Sequence, residues 1–169
     1  MNNMITQGTI SVLLGCHSLM HSVLVTVAWC RLYRRPPLLW QFVCIILHDI
    51  GHWGKQYLDD YEAKKEHAVL GAKIANRLFG RKGYDLIAGH NCYNGQPRSD
   101  LYMPDKLSWT IAPLWWLILT NIFEPKLVRS GLSLRQSAVV WKEAMRENCR
   151  TGANIQGHDI YMAQCKEKR

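Results

Sequence analysis

Apolar residues recur at helical spacing along almost the whole chain, and no stretch sustains the strict alternation of a half-buried strand. The pattern predicts a first helix over about Thr9 to Tyr33. Pro36-Pro37 break it and open a second helix, which carries Leu38 to Ile50 and stops at Gly51. His52 to Asp59 reads as a loop. Asp59-Asp60-Tyr61-Glu62 has the form of an N-cap with its capping-box glutamate. The helix it opens carries Ala68, Ala72, Ala75 and Leu78 and ends at Gly80. Arg81 to Gly83 reads as a turn into a short helix, Tyr84 to His90. Asn91 to Met103, with Gly95 and Pro97, reads as another loop. Pro104-Asp105 opens an apolar, aromatic helix that Pro113 kinks or splits. Ser133-x-x-Gln136 caps a final amphipathic helix to about Asn148. The expected architecture is all-α, a compact single-domain helical bundle over residues 1–148. A basic tail, 149–169, follows and is expected to be peripheral or partly disordered.

One uncharged stretch changes the picture only if misread. Gly8 to Cys30 carries no charge, and Arg31, Arg34 and Arg35 follow, so the length suffices to span a bilayer. Thr9, Ser11, Gly15, His17, Ser18, His21, Ser22 and Thr26 interrupt it, and no basic segment precedes it as in a secretory signal. A buried helix is expected there, with no membrane association. Cys16, Cys30, Cys44, Cys92, Cys149 and Cys165 form no Cys-x-x-Cys pair and sit largely in apolar runs, the usage of reduced cysteines in a cytoplasmic protein. Hydrophobic residues at 48%, with seven Trp and seven Tyr, argue against disorder. A net charge of +8 suits an anionic partner such as a nucleotide, or simply a solvated basic surface. Nucleic acid is compatible with that charge, but no recognition helix or aromatic-rich sheet motif supports it.

The chemistry concentrates around Leu47-His48-Asp49-Ile50-Gly51-His52-Trp53-Gly54-Lys55, where an apolar run delivers an adjacent His-Asp pair. Imidazole and carboxylate can bind one metal ion together, and a carboxylate can bridge two. A His-Asp dipeptide alone arises often by chance, and a lone histidine on an apolar face is usually a hydrogen-bonded core residue. Here His21, His67, His90 and Asp105 join the pair, each on or beside a helical segment. Such donors suit Mn, Fe, Co, Ni, Zn or Mg better than an all-oxygen calcium site. His17 shares a helix face with His21, so either can reach a metal. The missing glutamate after His17 speaks against a zincin-like His-x-x-x-His site.

The order His, His-Asp, His, His, Asp resembles the HD-domain metal-dependent phosphohydrolase superfamily. The pieces that carry the resemblance are His21-Ser22-Val23-Leu24-Val25, Leu47-His48-Asp49-Ile50-Gly51, Glu66-His67-Ala68-Val69-Leu70-Gly71-Ala72, Ile87-Ala88-Gly89-His90 and Pro104-Asp105-Lys106-Leu107-Ser108. Together they cover about His17 to Trp116. The resemblance implies an all-α bundle of the HD-domain type with its site between helices. It implies that His21, His48, Asp49 and Asp105 hold a first metal and His67 and His90 a second, with Asp49 bridging two divalent ions. The spacing to His48 and the small-apolar pattern favour His21 over His17 as first ligand. Asn91 stands where the cyclic-di-GMP-cleaving branch has a second histidine, and that branch's glycine-tyrosine-proline signature is absent.

The implied activity is hydrolysis of a nucleotide or related phosphoester by a metal-activated water. Alternatives are a di-iron oxygenase of the same fold and a non-catalytic nucleotide-binding module. His52, three residues after Asp49, is a candidate proton donor to the leaving oxygen, or else a histidine in a surface turn. Lys55, Lys64, Arg98 and Lys106 are candidate phosphate contacts, with Lys55 and Lys106 favoured because they adjoin motifs. Trp53, Tyr57, Tyr93 and Tyr102 lie on the loops near the site and are candidates to stack on a base. The aromatic group from Trp109 to Trp116 is expected to pack in a core, and a homo-oligomer through that helix is an open alternative.

Overall fold

The long uncharged stretch does not fold as one helix. The computed structural model describes residues 5–56, 61–91, 95–125 and 128–151, with residues 61–65 described by their backbone alone. In it α1 (Gln7–Leu13) and α2 (Leu19–Tyr33) are separated by a break at residues 14–18. The cause is tertiary. The Cys16 N–H donates to the buried Glu124 carboxylate at 3.2 Å, and Gly15 lies so close to that carboxylate that a Cβ would collide with it. The freed backbone thus finds a partner 108 residues away in sequence. Among the described residues, no helix is long and apolar enough to cross a membrane.

The other elements follow the sequence pattern with shifted ends. Pro36-Pro37 lie in an extended link, and α3 (Leu39–Leu47) starts after Leu38, whose N–H donates to Gln41 Oε1 at 2.9 Å. This helix stops before the His-Asp pair, not at Gly51. His48 remains helical, Asp49 turns away, and Ile50–His52 form a 3-10 turn. α4 (Tyr61–Phe79) ends before Gly80, as expected, while the Asp59-Asp60 cap lies outside the described residues. α5 (Arg81–Ala88) begins three residues before the expected Tyr84, because Gly80 at φ +70° starts a new helix at once. An Arg81–Asp85 pair at 2.7 Å sits on its first turn.

α6 (Tyr102–Ile111) opens two residues before Pro104, which a first helical turn tolerates. Ala112-Pro113 split it from α7 (Leu114–Phe123). α8 (Leu134–Thr151) has the expected capping box: the Gln136 N–H donates to Ser133 Oγ at 3.2 Å, and the Ser133 N–H to Gln136 Oε1 at 2.9 Å. It continues three residues past Asn148, into what the sequence suggested was tail; the tail beyond Thr151 lies outside the described residues. No strand occurs among the described residues, so the fold is all-α.

Two apolar clusters hold these helices. One joins Val25 and Trp29 of α2 with Cys44 and Ile45 of α3, Ala72 and Ala75 of α4, and Leu86 and Ile87 of α5. The other joins Leu24 of α2 with Trp109, Trp116, Leu117, Ala138 and Met145. α2 serves both, so its N-terminal turn, with His21, stays registered against α3 and α6 alike. Small residues then bring backbones together around the 3-10 turn. A Cβ on Gly8 would collide with the His52 carbonyl, one on Gly51 with the His67 carbonyl, and one on Gly71 with the Leu47 carbonyl. The His-Asp motif is therefore gripped from α1 on one side and α4 on the other.

Candidate metal centre

Six sequence-distant donors converge where α2, α3, α4, α5 and α6 meet. His21, His48, Asp49, His67, His90 and Asp105 are all buried, none more than 8% exposed. They fall into two sets that share Asp49. In one, His21 Nε2 lies 3.0 Å from Asp105 Oδ1 and 3.4 Å from Asp49 Oδ2, while His48 Nε2 lies 3.1 Å from Asp49 Oδ2 and 3.7 Å from Asp105 Oδ1. The two nitrogens are 3.3 Å apart. In the other set, His67 Nε2 and His90 Nε2 are each 3.6 Å from Asp49 Oδ1 and 2.9 Å from one another.

The donor chemistry fits a metal ion. Ligands about 2.1 Å from a common ion stand roughly 3.0–3.4 Å apart across a right or tetrahedral angle. The separations within each set scatter around that range. His48 and His90 both donate Nδ1–H to a carbonyl three residues earlier, Ile45 and Ile87, at 2.6 Å. That hydrogen bond fixes the tautomer and turns the Nε2 lone pair towards the centre, as metal-ligating histidines require. Two Nε2 atoms this close share either a proton or a metal ion. The buried His/Asp groups can thus hold a metal ion.

The electrostatics say the same. Burial opposes a charge on His48, but the Asp49 and Asp105 carboxylates outweigh it and push the imidazole up to about 10. Burial likewise opposes charge on Asp49, yet His48 beside it holds the carboxyl well below its usual range. Asp105 is held low against burial by Lys106 and His21. Without metal, a proton on His48 does the work of a cation.

A pH dependence follows for metal-free protein. His17 falls to about 3 because burial disfavours its charge, and His52 falls well below its usual range for the same reason. Below about pH 6.5 an unfolded chain takes up protons that folded His17 and His52 refuse, so stability drops as pH falls. His48 acts oppositely, since the stability it contributes is full below about pH 6.5 and is lost as pH rises through 10. Chelator-treated protein is therefore expected to melt at its highest temperature at roughly pH 6–7, with lower midpoints at pH 5 and pH 9. Thermal unfolding across that range checks this, and a midpoint still climbing at pH 9 contradicts it.

His21, rather than His17, lies beside Asp105 and His48. His17 Nδ1 is 2.6 Å from Ser11 Oγ and 3.1 Å from Cys16 Sγ, and the His17 ring stacks on His52 at 3.9 Å between centroids. His52 is 2% exposed and stacks in turn on His67 at 4.4 Å, so it is no surface-turn histidine. Burial holds its imidazole well below the usual range. Lys55 pairs with Glu66 at 2.8 Å, beside His67. Lys106 lies 2.6 Å from Asp105 Oδ2, on the side away from His21. Arg98 is exposed, its guanidinium 4.4 Å from the centroid of the Tyr102 ring.

Among the loop aromatics, Trp53 is half exposed, whereas Tyr102 opens α6 and is buried, not a loop residue. Tyr57, Tyr93 and the side chain of Lys64 lie outside the described residues. The expected core aromatics divide: Trp109 and Trp116 are buried, but Trp115 is 58% exposed. Sequence reasoning missed that Trp109 stacks directly on His21 at 4.6 Å, and that Asn91 Nδ2 reaches within 3.2 Å of His67 Nε2. Asn91 adjoins His90, the one local signal that pointed there. Trp109 stands one helical turn after Asp105, the spacing that puts both on one face of α6.

Fold and centre together define an all-α protein with a buried His/Asp cluster able to hold metal, compatible with an HD-type site. Compared with protein-family models, curated proteins and solved structures, the chain matches none.

Proposed function

We propose that this protein is a metal-dependent phosphohydrolase acting on a nucleotide or related phosphoester, with two divalent ions sharing Asp49. The observation that carries the reading is the division of one carboxylate between two imidazole pairs. Asp49 Oδ2 faces His21 and His48, and Oδ1 faces His67 and His90. Divalent ions in such a pair acidify a bound water and polarise a phosphoryl oxygen, the two needs of phosphoester hydrolysis.

The chain's own residues supply the rest. His48 and His90 are locked by their Nδ1 hydrogen bonds, so the donors need little rearrangement. Lys106 keeps an ammonium beside Asp105, where Asp105 raises its pKa and holds the charge against burial. A phosphate next to Asp105 meets that cation first. Trp53, half exposed just past the 3-10 turn, presents a ring for a base to stack on. The net charge of +8 favours approach of a polyanion.

Metal-reconstituted protein assayed against nucleoside mono- and triphosphates, dinucleoside polyphosphates and cyclic dinucleotides tests the proposal. Metal-dependent release of phosphate or a nucleotide product supports it. No turnover of any member, or oxygen uptake by iron-loaded protein in place of hydrolysis, sinks it. Lys106→Ala is expected to raise KM for the active substrate about tenfold with a smaller change in kcat, the effect of losing one charged phosphate contact. An unchanged KM, measured by steady-state kinetics, would remove Lys106 from substrate binding.

A further inference from the structure

The end of the bundle away from the six donors carries a concentration of charge that the metal centre does not use. α2 and α4 finish there, and α3 and α5 start there. His21, His67, His48 and His90 lie roughly 14–18 Å back along the same four helices, at 1.5 Å per residue. Side chains tie the four ends together. The Trp40 and Phe79 rings are 6.4 Å apart, and the Lys82 ammonium lies 5.0 Å from the Trp40 ring centroid. Residues 31–47 hold three arginines, residues 68–84 hold four Lys or Arg, and neither segment holds an acid. Most of the net charge of +8 therefore sits in two segments that meet at this end. Asp85 offsets Arg81 at 2.7 Å, and Asp100 stands nearby, its carbonyl accepting the Tyr33 O–H. Arg31, Arg34, Arg35, Arg77 and Lys82 are exposed there.

We propose that this end docks on an anionic lipid surface, with Leu38 and Leu39 entering the headgroup layer among the basic residues. The leucines decide the partner. Leu39 is 81% exposed, the most of any large hydrophobic residue among those described, and Leu38, Leu32 and Leu78 are exposed beside the same arginines. A basic face that is merely solvated needs no such apolar tip. The tip is also held in place. Pro36-Pro37 fix the extended link, and the Leu38 N–H donates to the buried Gln41 Oε1 at 2.9 Å, so little order is lost on docking.

Aliphatic residues interleaved with Lys and Arg are the chemistry of binding to acidic bilayers, where apolar insertion and charge attraction add. A single-stranded nucleic acid asks instead for open aromatic rings on which bases stack. The rings at this end are otherwise engaged: Lys82 covers Trp40, and the Tyr33 hydroxyl is bonded to Asp100. Docking here is peripheral and uses no spanning helix; it departs from the expectation of no membrane association. It is independent of the hydrolase reading, because the donors lie at the other end of the helices.

The test is sedimentation of the full chain with vesicles of phosphatidylcholine alone or with one quarter phosphatidylserine. Wild type is expected to bind the anionic vesicles at least tenfold more tightly, and less so at 0.5 M than at about 0.1 M salt. Leu38→Asn with Leu39→Gln is expected to weaken that binding at least tenfold at either salt. Arg31→Gln with Arg34→Asn is expected to weaken it roughly tenfold; asparagine suits the left-handed backbone at Arg34. Arg135→Gln with Arg146→Gln, on α8, removes the same charge elsewhere and is expected to change binding little. Far-ultraviolet circular dichroism checks that each variant folds, and the arginine pair decides if the leucine pair does not. Equal binding to both vesicles, or none, overturns the proposal. So does an equal loss in the α8 pair, or tighter binding to a single-stranded oligonucleotide that ignores the leucine substitutions.

Discussion

Asp49→Asn is expected to empty the centre and to reduce kcat by about a thousandfold or more, the scale of losing a metal-activated nucleophile and its charge stabilisation. The substitution keeps the side chain's shape, so it separates charge from packing. Among the described residues, Asp49 alone has a side chain that reaches both imidazole pairs, with Oδ2 at 3.1–3.4 Å and Oδ1 at 3.6 Å. An amide offers one weak oxygen donor where the carboxylate offers two charged ones. It also removes a charge that holds His48 up at about 10 in the metal-free state, so the cluster loses its preference for any cation. Elemental analysis and turnover of the same preparation check this. Asp105→Asn is the comparison, because it touches one set only. If Asp49→Asn kept its full complement of metal, Asp49 would not be a ligand.

Gly51→Ala is expected to destabilise the protein by about 3 kcal/mol, lowering the melting midpoint by roughly 6–12 °C for a chain of this size. The reason is a backbone contact. A Cβ at Gly51 would run into the carbonyl, carbon and Cα of His67, and no rotamer change relieves a collision with main chain. Either the 3-10 turn or α4 must move, and the first residue displaced is a candidate ligand. Metal affinity should therefore fall together with stability. Gly54→Ala is the control. Gly54 has φ +78° but open space around it, so only the left-handed backbone penalty of about 1 kcal/mol applies. Thermal unfolding of both variants decides, and equal shifts would mean that Gly51 matters only for its backbone freedom.

Much of this was readable along the chain for local reasons. Helical periodicity, Pro113 and the Ser133–Gln136 box depend on neighbours a few residues away, and the structure agrees with each. Gly80 was a correct stop but concealed a start, because a glycine at φ +70° can end one helix and begin the next without a turn between them. The break at residues 14–18 had no local signal beyond one glycine. It exists because Glu124, remote in sequence, offers its carboxylate to the Cys16 N–H. Lys55 adjoined the motif yet turned to Glu66, since the direction of a long flexible side chain is set by whichever charge lies nearest in space.

The same division applies to His48-Asp49 and its partners. By itself the sequence determined an all-helical chain, the donor types, their order, and their placement on or beside the ends of helices, because period and residue chemistry are local properties. Only the tertiary structure decided which oxygen of Asp49 meets which imidazoles, that Lys106 sits against the outer oxygen of Asp105, and that His17 and His52 stack beside the six. Those facts depend on distances between residues tens of positions apart, and packing around Gly8, Gly51 and Gly71 sets them.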